Sequence, residues 1–254
     1  MFKNLTLLAF NLLYLINRII EKFLKRSMFD YFKDFLETKR YKKKSINKIE
    51  AIFFVPNYLT KWRVSTLYTK EPDTLNWINN FQGKDIIFWD IGANIGLYSI
   101  YAALKFKNID ITAFEPSTNN LRILSRNISK NNLQDKIKIN QFPLTDKENK
   151  YLDMQETEFV EGWSMNTFDQ NIDFEGKNFL PKNKYKMYGT SIDYLLKNNI
   201  LEIPNYIKID VDGIEHLILK GGINFLKHND IKSISVELNE NFVEQYNEVL
   251  NVMK

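Results

Sequence analysis

Cysteine is missing from all 254 residues, and histidine occurs only at His216 and His228. Without cysteine there is no disulfide, no thiolate metal site and no thiol nucleophile. Nothing points to an oxidising compartment, so a cytoplasmic protein is expected. Two histidines cannot build a multi-histidine metal centre. Glycine and proline, nine and six residues, are too sparse for a collagen-like or low-complexity chain. Long apolar runs are lacking as well. Residues 5–20 are rich in Leu, Ile and Phe, but Thr6, Asn11, Asn17 and Arg18 interrupt them before the roughly 20 apolar residues that a spanning helix requires. A secretory signal is not expected either, because Lys3 is the only early cation and no pair of small residues marks a cleavage site.

What is present suits a packed globule: 44% hydrophobic and 26% charged residues, in a length that buries one full core plus an extension. The expected division is a helical, basic extension over residues 1–50 and a main domain over 51–254. Hydrophobic period is lost at about 146–188, which predicts an insertion there, long enough to suggest function. Phe23, Phe29, Phe32, Phe35 and Leu36 recur at near-helical spacing and predict one or two amphipathic helices through about Glu37. Such helices pack on the domain or a partner, or lie peripherally on the inner membrane face with Lys22, Lys25 and Arg26 toward anionic lipid. The net charge is +4, with much of the excess in Lys39, Arg40, Lys42, Lys43, Lys44 and Lys48. That run is expected to be a solvated connector, with contact to an anionic surface as the alternative. It lacks the interleaving of aromatic and basic residues that marks a base-reading surface, so no nucleic-acid partner is expected.

From Asp85 the pattern changes. Residues 85–89, Asp-Ile-Ile-Phe-Trp, form a β-prone run ending at Asp90, and Ile-Gly-Ala-Asn-Ile-Gly over 91–96 leads into a helical stretch over 97–106. A second strand over 110–114 ends at Glu115-Pro116, and a helix over about 118–129 follows. Lys136 to Phe142 reads as a third strand. Another runs into Asp210 from Pro204, a helix spans 214–227, and a fifth strand covers 233–238. Strand and helix in alternation predict a doubly wound, mostly parallel α/β sheet of Rossmann-like type.

In such a sheet ligands sit beyond the carboxyl ends of the strands near the switch point, where Gly92, Asn94, Gly96 and Glu115 are expected. Gly92 is expected to let the backbone approach a ligand, and Gly96 to let the helix start tight against the strand. Glu115 follows Gly96 by about twenty residues, the position from which a carboxylate accepts hydrogen bonds from both hydroxyls of a ribose. A dinucleotide turn carries glycine where Asn94 stands, to make room for pyrophosphate. The turn here favours instead a nucleoside with an amino-acid tail, engaged by Asp90, the Asn94 side chain and amides such as that of Ala93. The alternative is an ordinary turn with a surface glutamate. At the exit of the third strand, Phe142 and Leu144 are candidate neighbours of the base, or plain core. Asp210, Asp212, Glu215 and His216 cluster within seven residues at the same rim. A carboxylate Mg²⁺ site there would lack any second cluster, so no metal is expected.

Four stretches carry a resemblance. They are Thr69-Lys-Glu-Pro with Thr74 and Trp77-Ile78; Phe88 to Ser99; Ala113-Phe-Glu-Pro-Ser117; and Ile207 to Gly221, which joins a strand end, an acidic turn and a helix start in fixed order. The chain is identified on them as similar to FkbM-type methyltransferases, over about Tyr68 to Leu238. The resemblance implies S-adenosylmethionine as cofactor, with Glu115-Pro116 and the Asp90 to Gly96 turn holding it. It also implies O-methylation of a sugar or other small-molecule hydroxyl in macrolide or glycan pathways. Asp210 is the residue expected nearest the reacting centre, His216 the candidate base or else a packing histidine, and Asp212 stands where the family often has Glu. The chain ends at Lys254 after one helix beyond Leu238, where such sheets usually add two strands. The sheet edge at 233–238 is therefore expected to be exposed or covered by an oligomeric partner, and a truncated or inactive form is an alternative. Two rivals stand beside the enzyme. A nicotinamide-dependent oxidoreductase would use the same turn and Glu115, but would want a glycine near Asn94 and a catalytic Tyr-x-x-x-Lys or similar, and neither is expected here. A non-catalytic, membrane-associated scaffold would follow from the apolar N-terminus.

Overall fold

The computed structural model describes residues 2–253. They form two compact units that divide between Tyr41 and Lys42. The first holds α1 (Phe2–Leu24) and α2 (Met28–Lys39). The turn between them is built on Asn17, whose Oδ1 accepts the Met28 N–H at 2.7 Å, and on Ser27, whose hydroxyl caps α2 by accepting the Phe29 N–H. These bonds satisfy amide donors that a helix start leaves without partners.

A hairpin of β1 (Tyr41–Ile46) and β2 (Ile49–Phe54) begins at the boundary and belongs, from Lys42 on, to the second unit. Its turn residues Asn47 and Lys48 have φ of 50° and 66°, the left-handed pair whose twist matches a hairpin. The basic run is therefore mostly strand, not a solvated connector. Lys43 pairs with Glu50 at 2.7 Å across the hairpin, and Lys42 and Lys44 donate to the Ser65 hydroxyl and carbonyl. Short helices α3 (Tyr58–Ser65) and α4 (Pro72–Asn79) follow.

The central sheet consists of β3 (Ile86–Ile91), β4 (Ile109–Phe114), β5 (Ile137–Asn140), β9 (Tyr206–Ile209) and β10 (Ser233–Val236). Every pairing in it is parallel, in the order β10-β9-β3-β4-β5. The crossovers are α5 (Leu97–Lys105), α6 (Thr118–Lys130), α7 (Ile192–Lys197) and α8 (Glu215–Lys220), and α9 (Val243–Val252) closes the chain. The α/β expectation holds. The helix expected over 214–227 is α-helical only to Lys220, because Gly221-Gly222 interrupts it with the residue least suited to a helix interior.

Parallel strands with crossovers on both sides are buried on both faces, which is why β3 is apolar at almost every position. One face sets Trp89 and Ile91 against Phe114, Ile207 and Ile209. The other sets Phe88 against the rings of Trp77 and Phe81, at 6.0 and 5.3 Å. α6 carries out a second task with its asparagines. Asn127 and Asn131 accept the N–H groups of Phe54 and Ile52 at 2.7 and 2.8 Å, so part of β2's main chain is satisfied by side chains.

Strand order runs outward from β3 in both directions, which puts the switch point between β3 and β9. Between β5 and α7 lies the segment expected to be without period. It holds a small antiparallel sheet of β6 (Lys150–Glu156), β7 (Asn166–Phe168) and β8 (Asn183–Gly189), in the order β7-β6-β8.

Candidate cofactor and acceptor site

Three neighbouring strands deliver Gly92, Glu115 and Asp210 to one rim, since β3, β4 and β9 end in register. Gly92 has φ 82°, and a Cβ on it would lie 1.8 Å from the Asp210 carbonyl oxygen. Glycine is needed here because β9's own backbone occupies the space, not because a ligand does. A Cβ on Gly96, at φ 84°, would lie 2.5 Å from Leu124 Cδ1, so the close contact there is with α6.

The turn's amides are already committed. Gly92 and Ala93 donate to the Phe114 carbonyl at 3.0 Å, and Gly96 donates to Ala93. The Asn94 N–H donates at 2.7 Å to Glu115 Oε2, while the Ser117 N–H donates at 2.8 Å to Oε1. The expectation that such amides grip an amino-acid tail is corrected: those of Gly92, Ala93 and Gly96 close the turn, and those of Asn94 and Ser117 orient Glu115. That carboxyl is buried, which pushes it up to about 7 against the opposing pull of the Ser117 and Asn94 amides. A carboxylate has about four acceptor sites, so two main-chain bonds fix its plane and leave capacity facing the cavity.

A cleft of about 640 Å³, open to solvent, meets this rim. Gly92, Asn94, Glu115, Pro116, Asp210 and Asp212 line it from below, and Trp163, Ser164 and Asn166 from the segment around β7. Arg63 and Lys70 close another side. The covering loop is pinned by side chains. Asn94 and Asn120 donate to the Trp163 carbonyl at 3.1 and 2.9 Å, the Gly162 N–H donates to Asn120 Oδ1, and Arg63 donates to the Gly162 carbonyl. Asn94 Oδ1 and Asn166 Oδ1 are buried there without a partner, and an unmet buried acceptor calls for a donor.

The cleft continues into an apolar slot. The two share Gly92, Pro116, Met154, Asn166 and Val211, and the slot adds Phe114, Phe142 and Leu144. A polar cleft running into an apolar slot fits a ribose with an attached base, and it draws the candidates Phe142 and Leu144 to one wall.

On the β9 side, alternation puts Lys208 and Asp210 on the same face of the strand. Their ion pair is 2.7 Å long, and Lys208 Nζ also stands 3.9 Å from Asp90 and 5.1 Å from the Tyr98 ring centroid. Burial acts to raise the Asp210 carboxyl, but the Lys208 charge and a hydrogen bond with Glu237 outweigh it and hold Asp210 well below the usual range. Glu237 is raised in turn by its bond to Asp210 and by that charge. Asp212, at φ 62°, turns its carboxylate to the cleft and accepts the Met165 N–H at 2.8 Å. Burial and the Asp210 charge push it up to about 6. Glu215 faces inward, accepting the N–H groups of Val211 and Gly213 and a bond from Gln245, and burial pushes it up to about 7.

Four sequence candidates line neither the cleft nor the slot: Ala93 and Gly96, whose amides close the turn itself, and Asp90 and His216. Asp90 is wholly buried, with Oδ2 accepting from the Ser99 hydroxyl at 2.6 Å, so it braces the strand and α5 rather than meeting a ligand. His216 packs its ring edge-on to Phe242, and burial lowers its proton affinity. A base needs reach to the reacting group, and His216 is not on the cleft wall. A Tyr-x-x-x-Lys spacing does occur at Tyr101 and Lys105, but Tyr101 is buried with its hydroxyl on Asn79, away from the turn. Sequence reasoning missed Arg63, Lys70, Asn120, Trp163, Lys208 and Glu237. Lys70 and Lys208 carried a signal, since both lie in stretches that bear the family resemblance and Lys208 also stands two residues from Asp210. Among the described residues no cluster of metal-ligating side chains occurs.

A match to the methyltransferase FkbM domain covers residues 90–254, more than half of the chain. The chain belongs to the FkbM methyltransferase domain family. The matched segment contains the Asn94 turn, Glu115 and the acidic rim of β9. Among curated proteins this FkbM-domain chain is similar to the hexuronic acid methyltransferase AglP of Haloferax volcanii, 24% identical over 185 residues. The alignment covers 70% of this chain and 66% of AglP. Among solved structures it is similar to methyltransferase FkbM from Methylobacillus flagellatus KT, at 17% identity and a TM-score of 0.44. That likeness covers 74% of this chain but only 41% of that one. A precorrin-6y C5,15-methyltransferase from Geobacter metallireducens GS-15 is similar at 15% identity and a TM-score of 0.41, over 73% of this chain and 72% of the other.

Proposed function

We propose that the chain is an S-adenosylmethionine-dependent O-methyltransferase whose acceptor is a sugar hydroxyl. One observation carries the cofactor reading: β3 and β4 bring the Gly92 turn and the oriented carboxylate of Glu115 to a single cleft that continues into an apolar slot. Glu115 would accept the ribose hydroxyls, Phe142, Leu144 and Pro116 would flank the base, and Asp210, ionised beside Lys208, would face the tail's ammonium. Arg63 and Lys70 suit its carboxylate, and the unpartnered Asn94 and Asn166 oxygens suit its donors. The bound cofactor would supply a methyl group on sulfonium sulfur.

For the chain's own residues the work is positioning and proton transfer. Of the rim carboxyls, Asp212 is the one fit to receive the acceptor's proton. Asp210 is held ionised by Lys208 and takes a proton poorly, Glu215 faces inward, and Asp212 titrates at about 6 on the cleft wall. Sugar as acceptor rests on the relative's name, which makes hexuronic-acid glycans the first acceptors to try.

Calorimetry tests the cofactor: micromolar binding of S-adenosylhomocysteine without NAD binding is expected. NAD binding alone would favour the oxidoreductase, and binding of neither the scaffold. Mass spectrometry of hexuronic-acid glycans after incubation with protein and S-adenosylmethionine should show a gain of one methyl unit. No gain would count against the sugar acceptor.

A further inference from the structure

α1 is built with two unlike sides. Leu5, Leu8, Leu12, Ile16, Ile19 and Phe23 follow one another at spacings of three or four and share one face. All six are exposed, from 40% at Ile16 to 77% at Phe23. α2 does not cover them, because it takes a different side of α1. There the rings of Phe10 and Tyr14 stack on Phe29 at 5.8 and 6.2 Å, and Asn17 is buried in the turn. The contacts that close the hairpin therefore leave the apolar stripe open along the length of the helix. Monomeric proteins rarely expose so continuous a patch without a use for it.

The charge beside the stripe says what covers it. Residues 2–27 hold five cations, Lys3, Arg18, Lys22, Lys25 and Arg26, against the single anion Glu21. Arg18 and Lys22 lie one turn apart on the polar side of α1, and Lys25 and Arg26 follow at its end. Long basic side chains at the border of an apolar face can lay their stems along it and keep their charge in water or among anionic headgroups. Among the described residues no helix is long and apolar enough to cross a membrane. A second copy of the helix is a poor cover. Leu13 and Leu15, also exposed, widen the stripe beyond the two-position seam along which helices pair, and five cations against one anion would repel in a parallel pair.

We propose that α1 is an in-plane anchor for a bilayer surface carrying anionic lipid, with the stripe from Leu5 to Phe23 in the acyl boundary and the cations among the headgroups. The claim is independent of the methyltransferase site.

Sedimentation of the full chain with phosphatidylcholine vesicles, with and without phosphatidylglycerol, tests it. The chain should partition onto phosphatidylglycerol-containing vesicles about tenfold or more better than onto pure phosphatidylcholine, and high salt should weaken that preference. The triple change Leu8→Glu, Leu12→Glu and Ile19→Glu should abolish partitioning. The pair Arg18→Glu and Lys22→Glu, which leaves the stripe intact, should lose the preference for phosphatidylglycerol. Far-UV circular dichroism of both variants should keep the helical signal. No partitioning onto either vesicle, or partitioning unchanged in the triple variant, would overturn the proposal. So would a dimer in light scattering that the triple variant dissolves without any vesicle binding by the parent chain.

Discussion

The two walls of the cleft are made in different ways. On the β3–β4 wall a single carboxylate, Glu115, is held by main-chain amides from two turns, so its orientation follows from local backbone geometry. On the β9–β10 wall several carboxyls crowd round one buried lysine, and their states depend on one another: Asp210 is held ionised by Lys208, Glu237 is raised by its bond to Asp210, and Asp212 is raised by burial and then by the Asp210 charge. The first arrangement suits a ligand that is always the same. The second suits a reaction, because groups with proton affinities pushed apart can divide binding from proton transfer. Under the proposed function, the backbone-held wall would take the ribose, and the charged wall would divide its carboxyls between the cofactor's tail, at Asp210, and the acceptor's proton, at Asp212.

That contrast can be broken first where the walls touch. Gly92→Ala drives a methyl into the Asp210 carbonyl, and about 3 kcal/mol or more of stability should be lost in chemical denaturation, since neither strand end can shift without the other. Asp212→Asn should then separate the walls. It is expected to lower kcat by about 10²- to 10⁴-fold, if the acceptor's proton needs a base, while leaving S-adenosylhomocysteine affinity within a few-fold in calorimetry. Glu115→Ala should do the reverse, weakening S-adenosylhomocysteine by about 1.5 to 3 kcal/mol, or roughly 10- to 150-fold. Because Glu115 titrates at about 7, affinity of the parent chain should fall as pH drops through that value, and Glu115→Gln should flatten the dependence.

A smaller effect sharpens the comparison in the ligand-free chain. Glu115, Asp212 and Glu215 carry raised proton affinities, at about 7, 6 and 7, against 4.5, 3.8 and 4.5 when unperturbed. Each therefore contributes stability that is fully present below its unperturbed value and lost as pH rises through its folded value. Melting temperature should decline from about pH 5 to about pH 8, and Glu115→Gln should remove part of the slope. Asp210, lowered by Lys208, has the opposite sign: its contribution is present above 3.8 and lost as pH falls further, outside that window.

Much of the first wall was legible in the sequence because its determinants are local. A β-prone run, a two-glycine turn and a helix start specify the β3 rim, and a terminal acid one unit later specifies Glu115. The chemistry given to Gly92, Ala93 and Asp90 was misread for a tertiary reason. β9 lies against Gly92, the Phe114 carbonyl takes the turn's amides, and Ser99 with Lys208 surrounds Asp90. The second wall was legible only as a cluster of acids. Which acid is ionised, which faces inward and why His216 stands aside depend on Lys208, Gln245 and Phe242, residues brought close by the fold. The covering loop was hidden for the same reason, since Asn94, Asn120 and Arg63 reach it from distant parts of the chain. The hairpin at β1 and β2 was concealed by its lysines, which hide a strand whose turn signal was Asn47-Lys48.

A crystal structure of the chain grown with S-adenosylhomocysteine tests the division of the rim most directly. Both ribose hydroxyls are expected on the Glu115 carboxylate, the adenine between Phe142 and Pro116, and Asp212 free of the nucleoside. A ribose bound to Asp212 or Glu237, with Glu115 still engaged only by its own amides, would contradict that division.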